Sequence, residues 1–193
     1  MGIPFENSVR LRALVDMPRQ ARVIVPGVPY HVTQRGNNRE VVFRSGEERW
    51  RYLRLLRTHA VQDGTGILAY CLMTNHVHLV AIPEKVDSLA HTLGRTHCEY
   101  TLLTNRVAGR SGHLWQSRFY SCPLDLRHLF NAIRYVELNP VRVGLAATAR
   151  GWGWSSARAH MSPEVRDPIL VENWKEAVGG WNFAEWGRCS VLR

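Results

Sequence analysis

The 193-residue chain lacks any run of about 20 apolar residues, the length that a membrane-spanning helix needs. Its first residues carry charges where a secretory signal would be apolar, so we expect a soluble protein of the cytoplasm that does not contact membranes. Cysteine is scarce, and no Cys-x-x-Cys pair occurs among Cys71, Cys98, Cys122 and Cys189. The sequence therefore favours neither a disulfide framework nor a cysteine zinc site, and we expect these side chains to fill the interior.

Lysine is almost absent, since only Lys85 and Lys175 accompany 23 arginines. The formal net charge of +9 and the isoelectric point near 10.0 indicate a polyanionic partner. Residues 1–60 carry 11 basic and 5 acidic side chains, and residues 95–158 carry 9 and 3, so each block has a charge of +6. Arginine-rich codon usage is the better explanation for any single arginine, but the concentration of the excess in two blocks weakens it for the whole set.

Periodicity predicts an alternation of strands and helices. The order is strand 30–35, helix 47–62, strands 67–73 and 76–82, helix 88–105, strand 113–122, and a helix after Asp125 that is interrupted near Asn139-Pro140. This order indicates an α+β fold, a ferredoxin-like sandwich of an antiparallel sheet with helices packed on one face. Around this domain, 29–150, we expect an N-terminal arm over 1–28 and a C-terminal tail over 151–193 that packs on it.

The sharpest local motif is His76-Val77-His78, near the start of a predicted strand. Because side chains alternate along a strand, both imidazoles lie on one face while Val77 faces the core. Two histidines at this spacing can share a cation, although the same pattern also occurs on an ordinary strand edge. A third ligand has to come from another element.

The third predicted helix carries a polar stripe of residues spaced three or four apart: His128, Asn131, Tyr135 and Asn139. Taken alone, a tyrosine on such a stripe is more often structural than nucleophilic, and an asparagine before proline usually ends a helix. A basic chain with a metal-capable His pair changes this balance, because a tyrosine hydroxyl near a divalent ion can attack a phosphodiester.

Four segments together resemble the signature blocks of the REP-associated tyrosine transposases, a branch of the single-tyrosine HUH transposases. The segments are Pro29-Tyr30-His31-Val32-Thr33-Gln34-Arg35-Gly36-Asn37-Asn38-Arg39, Met73-Thr74-Asn75-His76-Val77-His78-Leu79, Gly112-His113-Leu114-Trp115-Gln116-Ser117-Arg118-Phe119 and Arg134-Tyr135-Val136-Glu137-Leu138-Asn139-Pro140-Val141-Arg142. Four blocks in the same order are far more specific than any one of them. The family's ferredoxin-like fold agrees with the fold read from periodicity.

The resemblance implies a metal-dependent transposase that cleaves and rejoins single-stranded DNA at REP-type palindromic hairpins through a 5′-phosphotyrosine link. Tyr135 is then the nucleophile, and His76, His78 and Asn139 hold Mg²⁺ or Mn²⁺. The DNA contacts that it suggests are Arg35, Asn37, Asn38, Arg39, His113, Gln116, Arg118 and Arg142. No small-molecule substrate is expected, and the protein would work at the bacterial nucleoid.

Two other functions stay open at this point. One is a domesticated, non-catalytic regulator that binds nucleic acid with the same fold. The other is a zinc hydrolase built on the His pair, which is weaker because no second ligand cluster follows it in the sequence. The resemblance favours a monomer, with a homodimer as the alternative.

Overall fold

The computed structural model describes residues 23–162, 164–173 and 176. Most of the expected N-terminal arm, the end of the expected tail and Cys189 lie outside these residues. Within them, no helix has both the length and the apolar composition needed to cross a bilayer.

Four antiparallel strands form one sheet in the order β2-β3-β1-β4. The strands are β1 (Tyr30–Arg35), β2 (Thr65–Leu72), β3 (His76–Pro83) and β4 (Tyr120–Pro123). The helices are α1 (Gly46–Asp63), α2 (Ser88–Val107), α3 (Leu126–Arg142) and α4 (Ala157–Met161), with 3-10 turns at Asn37–Arg39 and Ala149–Gly151. The ferredoxin-like α+β prediction is confirmed, because β1-α1-β2-β3-α2-β4 encloses this strand order.

Helices cover both faces of the sheet, not one face as expected. Val77 and Leu79 of β3 point into the main core beneath α1 and α2, whereas Val80 belongs to a second core beneath α3. The second face is apolar along β2 and β3, and α3 has an apolar stripe of its own that includes Ile133. Burying these two surfaces against each other places α3 opposite the other two helices.

A cysteine expected in the interior, Cys98 of α2, is exposed, whereas Cys71 is buried as expected and Cys122 is half-buried. Trp50 of α1 is also 61% exposed and packs edge-on against Trp154, with ring centroids 5.7 Å apart. The buried face of α1, which includes Tyr52 and Leu53, does not include Trp50.

The expected strand over 113–122 is wrong for most of its length, because β4 begins only at Tyr120. Ser117 has a φ of 50°, in the left-handed region, which breaks the pleat before the strand starts. Upstream of it, Trp115 makes an isolated antiparallel bridge to Gly36. The segment 113–119 therefore follows the end of β1 as an irregular extension of the sheet.

The expected interruption at Asn139-Pro140 is also wrong, since α3 continues to Arg142. Proline in the last turn removes one backbone hydrogen bond, a smaller loss than in the middle of a helix. The bond lost is the one that residue 140 would make to the Val136 carbonyl, and Pro140 is buried. Asn139 Nδ2 donates to the Tyr135 carbonyl at 3.2 Å, so Tyr135 and Asn139 stay on one helix.

Residues after the 3-10 turn at 149–151 pack along the outer edge of β2. The Leu72 N–H donates to the Trp154 carbonyl at 2.8 Å, and Val171 N–H donates to the Ile67 carbonyl at 2.9 Å. Tyr70 adds a side-chain hydrogen bond from its hydroxyl to Asp167 at 2.8 Å. The backbone groups of this edge strand are thereby paired within the chain.

An aromatic cluster between α1, α2 and the 113–119 segment surrounds His97. Its ring lies 4.6 Å from that of Trp115 and 6.0 Å from that of Tyr52, whose hydroxyl is 3.0 Å from His97 Nε2. Burial lowers the pKa of His97 to about 3. The imidazole is therefore neutral in the folded protein at any pH near neutrality.

This buried imidazole should make the protein less stable in mild acid. In the unfolded chain His97 titrates near its ordinary pKa of 6.5, so between pH 6.5 and 3 the unfolded state binds more protons and the free energy of unfolding falls as pH falls. The contribution of one such group approaches about 1.4 kcal/mol per pH unit. Urea unfolding at pH 7, 6 and 5, followed by tryptophan fluorescence, should show a shallower decline for His97→Gln than for the parent. Equal slopes in His97→Gln and in the parent would contradict this assignment.

Candidate active site

The His pair lies on the face of the sheet that α3 covers. His76 and His78 follow the same parity along β3 as the buried Val80, and their ring centroids are 4.8 Å apart. Val77, between them, is fully buried in the other core, as the alternation predicts. The pair is thus held by a strand whose opposite face is packed.

A third histidine, His31 of β1, joins the pair. Its Nε2 lies 3.2 Å from His78 Nδ1, and the two rings are nearly parallel, with centroids 5.4 Å apart and planes 9° apart. This contact occupies the Nδ1 side of His78. The Nε2 of His78 is therefore the nitrogen left for an ion.

Tyr135 projects from α3 onto these rings. Its ring stands edge-on to His31 and to His78, with centroid distances of 5.8 Å and 5.7 Å. The side chain is 40% exposed, so it is accessible from solvent. The guanidinium carbon of Arg142, two turns along the helix, lies 4.9 Å from the ring centroid and holds the ring by a cation–π contact.

The electrostatics keep all three imidazoles neutral. Burial, with a smaller contribution from Arg35, lowers the pKa of His76 to about 4. Burial, followed by His76, His31 and Arg35, lowers the pKa of His78 to about 3, and burial also lowers the pKa of His31. A neutral imidazole has the free lone pair that metal coordination requires, so the site is prepared for a cation at neutral pH.

Asn75 sets the tautomer of His76. Its Nδ2 donates to the Arg39 carbonyl at 3.0 Å, which directs Oδ1 towards His76 Nδ1 at 2.7 Å. Because Oδ1 can only accept, Nδ1 carries the proton and Nε2 of His76 presents its lone pair. The turn that contains Arg39 thereby orients His76, a candidate metal ligand on β3.

The side chains near Tyr135 offer a divalent cation neutral donor atoms. Among the described residues, no group of three or more His, Cys, Asp or Glu side chains is placed to hold a metal. His76 and His78 supply two nitrogens, and an ion held there would depend on amide oxygen and water for its other ligands. Asn139 is buried on α3 one turn from Tyr135 and donates its Nδ2 to the Tyr135 carbonyl, and among the described residues no hydrogen bond joins it to His76 or His78.

The structure brings the predicted DNA-contacting segments together beside this site. Asn37 N–H donates to the Leu114 carbonyl at 2.9 Å, and Gln116 N–H donates to the Arg35 carbonyl at 2.8 Å. The turn after β1 thus lies against the 113–118 segment. Of the predicted DNA contacts, Asn37 is half-buried. The others are exposed: Arg35, Asn38, Arg39, His113, Gln116, Arg118 and Arg142.

A buried carboxylate anchors α3 to the chain that follows it. Glu137 is fully buried, with Oε1 2.5 Å from Ser156 Oγ and 2.6 Å from His160 Nδ1. Ser156 itself is tied to β2, since the Tyr70 N–H donates to its hydroxyl at 3.0 Å. The helix that carries Tyr135 is therefore fastened to the sheet through residues 156–160.

Comparison with known proteins agrees with this geometry. The family model described as "Transposase IS200 like" matches residues 24–139, more than half of the chain. The chain belongs to the IS200-like transposase family. Its members are DNA transposases, and the matched range contains the three histidines, Tyr135 and Asn139.

Two relatives refine the placement of this IS200-like transposase. A curated Haemophilus influenzae protein, named as a REP-associated tyrosine transposase, is 27% identical over 118 residues, which cover 55% of this chain and 65% of the relative. A solved REP-associated tyrosine transposase bound to a REP hairpin superposes with a TM-score of 0.64 at 17% identity, covering 80% of this chain and 92% of that one. The resemblance to the REP-associated branch is confirmed, and the solved structure confirms the fold.

Sequence reasoning on this transposase missed His31, Asn75 and Glu137. His31 shares the strand parity of Arg35, which is the signal that places it on the same face as the His pair. Glu137 follows Ile133 by four residues and so lies on the apolar stripe of α3, where a carboxylate needs a buried partner. Nothing in the sequence indicates that those partners are 19 and 23 residues downstream.

Removal of the Asn75 side chain should weaken cation binding by the His pair. Asn75→Ala deletes the acceptor for His76 Nδ1, and loss of such an outer partner typically costs about 10- to 100-fold in metal affinity. Isothermal titration of Mn²⁺ into the DNA-free protein measures this directly. Asn75→Asp keeps an oxygen acceptor and should retain at least the parent affinity. Parent-like binding by Asn75→Ala would show that the tautomer does not matter.

Loss of the Glu137 carboxylate should destabilise the fold. Glu137→Ala leaves the buried Ser156 and His160 groups without this acceptor, and removing one partner of a buried hydrogen bond costs about 1–3 kcal/mol. Glu137→Gln keeps an amide oxygen for Ser156 and should lose less. The free energy of unfolding from urea titration is the measurement, and equal losses in the two variants would contradict the anchoring role.

Proposed function

We propose that this chain cuts and rejoins single-stranded DNA beside palindromic hairpins through a covalent 5′-phosphotyrosine link. The observation that carries the proposal is the packing of the Tyr135 ring against His31 and His78, where a partly exposed phenol lies beside neutral imidazoles. Membership of a DNA transposase family supports it. A hydrolase acting on small molecules would not need the basic surface around this site.

The reaction transfers a phosphoryl group from one oxygen to another. The phenol oxygen of Tyr135 forms a bond to phosphorus while the bond from phosphorus to the 3′ oxygen of the preceding nucleotide breaks. The phenol loses its proton and the departing oxygen gains one, so the products are a 5′-phosphotyrosine and a free 3′-hydroxyl. A 3′-hydroxyl of another strand can reverse the step, which joins DNA without an external energy source.

The chain's own residues position the partners of this reaction. His31 and Arg142 hold the Tyr135 ring from two sides, and Arg35 stands near enough to lower the pKa of both His76 and His78. The same guanidinium is suited to pair with the phosphate that enters the site. A divalent ion, Mg²⁺ or Mn²⁺, held by His76, His78 and Asn139, would polarise that phosphate and offset the charge of the transition state.

Several observations support hairpin DNA as the partner. The solved relative with the same fold is bound to a REP hairpin. In this chain the exposed Asn38, Arg39, His113, Gln116 and Arg118 cluster beside the site, where they can contact phosphates and bases. Tyr135 contacts histidines of its own chain, so we take the active species to be a monomer. The charge of +9 suits residence with DNA at the nucleoid.

The proposal predicts a covalent protein–DNA adduct that depends on Tyr135. Labelled single-stranded hairpin DNA incubated with the protein and Mn²⁺ should give a shifted band on a denaturing gel, and Tyr135→Phe should abolish it while binding the DNA normally. Tyr30→Phe provides the matched control, because this buried tyrosine lies on the opposite face of the sheet and should leave the adduct intact. An adduct that survives Tyr135→Phe would assign the nucleophile elsewhere. Tight binding with no adduct in any variant would favour the non-catalytic regulator.

A further inference from the structure

Tyr120 is a large aromatic side chain that the proposed chemistry does not use. It is the first residue of β4 and is 62% exposed, whereas Tyr30, Tyr52, Tyr70 and Tyr100 are buried. Tyrosine is common on edge strands for reasons of strand propensity alone. Its position relative to the His pair, more than its exposure, is what requires an explanation.

The strand register places Tyr120 in one row with the site. Tyr120 pairs with Thr33 on β1, and Thr33 pairs with His78 on β3. Side chains of directly opposed residues share a face of the sheet, so all three lie on the face that bears the His pair. Two strand spacings separate Tyr120 from His78, about 10 Å between backbones.

α3 leaves this end of the face uncovered. The helix packs on β2 and β3, and its apolar residues meet Leu68, Ala69 and Val80. β4 lies at the opposite edge of the sheet, beyond β1. The Tyr120 side chain is therefore largely exposed to solvent on the same face of the sheet as the His pair.

Two exposed arginines lie close to Tyr120 along the chain and the sheet. Arg35 is two residues from Thr33, the residue opposite Tyr120, on the same face of β1, and Arg118 is two residues before Tyr120. An exposed ring with arginines nearby matches the way in which proteins hold single strands, with bases stacked on rings and phosphates paired with arginine. An apolar protein partner would not match this charge.

We propose that Tyr120 is a stacking platform for an unpaired base next to the phosphate that is cut. This inference rests on the proposed function in so far as single-stranded DNA enters the site across β4. The ring contributes by its face, not by its hydroxyl. Phenylalanine should therefore replace it, and leucine, of similar bulk but without a π system, should not.

Binding of a twelve-nucleotide oligothymidine tests the platform without cleavage. In a Tyr135→Phe background, measured by fluorescence anisotropy, Tyr120→Phe should bind within about twofold of its parent, and Tyr120→Leu should lose at least about fivefold, the low end of one base–ring contact. The salt dependence of binding should not change, because no phosphate contact is removed. Val61→Ala, 79% exposed on α1 on the other side of the sheet, should bind like the parent. Equal affinities for Tyr120→Leu and its parent, or a parent that does not bind the oligonucleotide, would overturn the proposal.

Photo-crosslinking separates this inference from the proposed function. An oligothymidine with one iododeoxyuridine should crosslink to Tyr120 in the parent and in Tyr120→Phe at the same position, but not in Tyr120→Leu. A crosslink at this position in a protein that forms no phosphotyrosine adduct with hairpin DNA would support the platform and contradict the chemistry. A normal adduct with no crosslink at position 120 would contradict the platform alone.

Discussion

Side-chain alternation along β3 is the constraint on which the site depends. Val77 and Leu79 are buried in the core under α1 and α2. Because side chains alternate, His76 and His78 lie on the opposite face of the sheet, beneath α3. A slip of one residue in the pairing of β3 would bury both imidazoles in the main core and expose two apolar side chains. The register that stabilises the fold is thus the same register that presents the His pair to Tyr135.

Alternation and helical spacing act over a few residues. They were sufficient to predict most of the strands and helices and the position of the His pair on one face of a strand. It failed where distant contacts decide the local conformation. Pro140 lies in the last turn of α3, where it is buried and costs a single backbone hydrogen bond, and the strand before Tyr120 is lost because Ser117 adopts a positive φ. His31 and Glu137 acquire their roles only when β1 meets β3 and when residues 156–160 meet α3. Periodicity carries no information about such partners.

The charges of the site are arranged in two zones. The imidazoles are kept neutral by burial and by the nearby Arg35, so their lone pairs remain available. The arginines stand outside this neutral centre, on the turn after β1, on the 113–118 segment and at the end of α3. The hydrogen bond from Asn75 to the Arg39 carbonyl joins the two zones. The Arg39 side chain is exposed, while its carbonyl orients Asn75, which in turn orients the His76 ring.

The anchor of α3 has a consequence for the order in which the protein can assemble. Glu137 meets its partners only at Ser156 and His160, which leave the ribosome after Tyr135 has already emerged. The sheet and the His pair can form on the nascent chain before the tyrosine helix has any such fastening. The Glu137 anchor is therefore completed last, so a chain that stalls before residue 156 carries every candidate catalytic group and the apolar contacts of α3 but lacks this buried polar anchor.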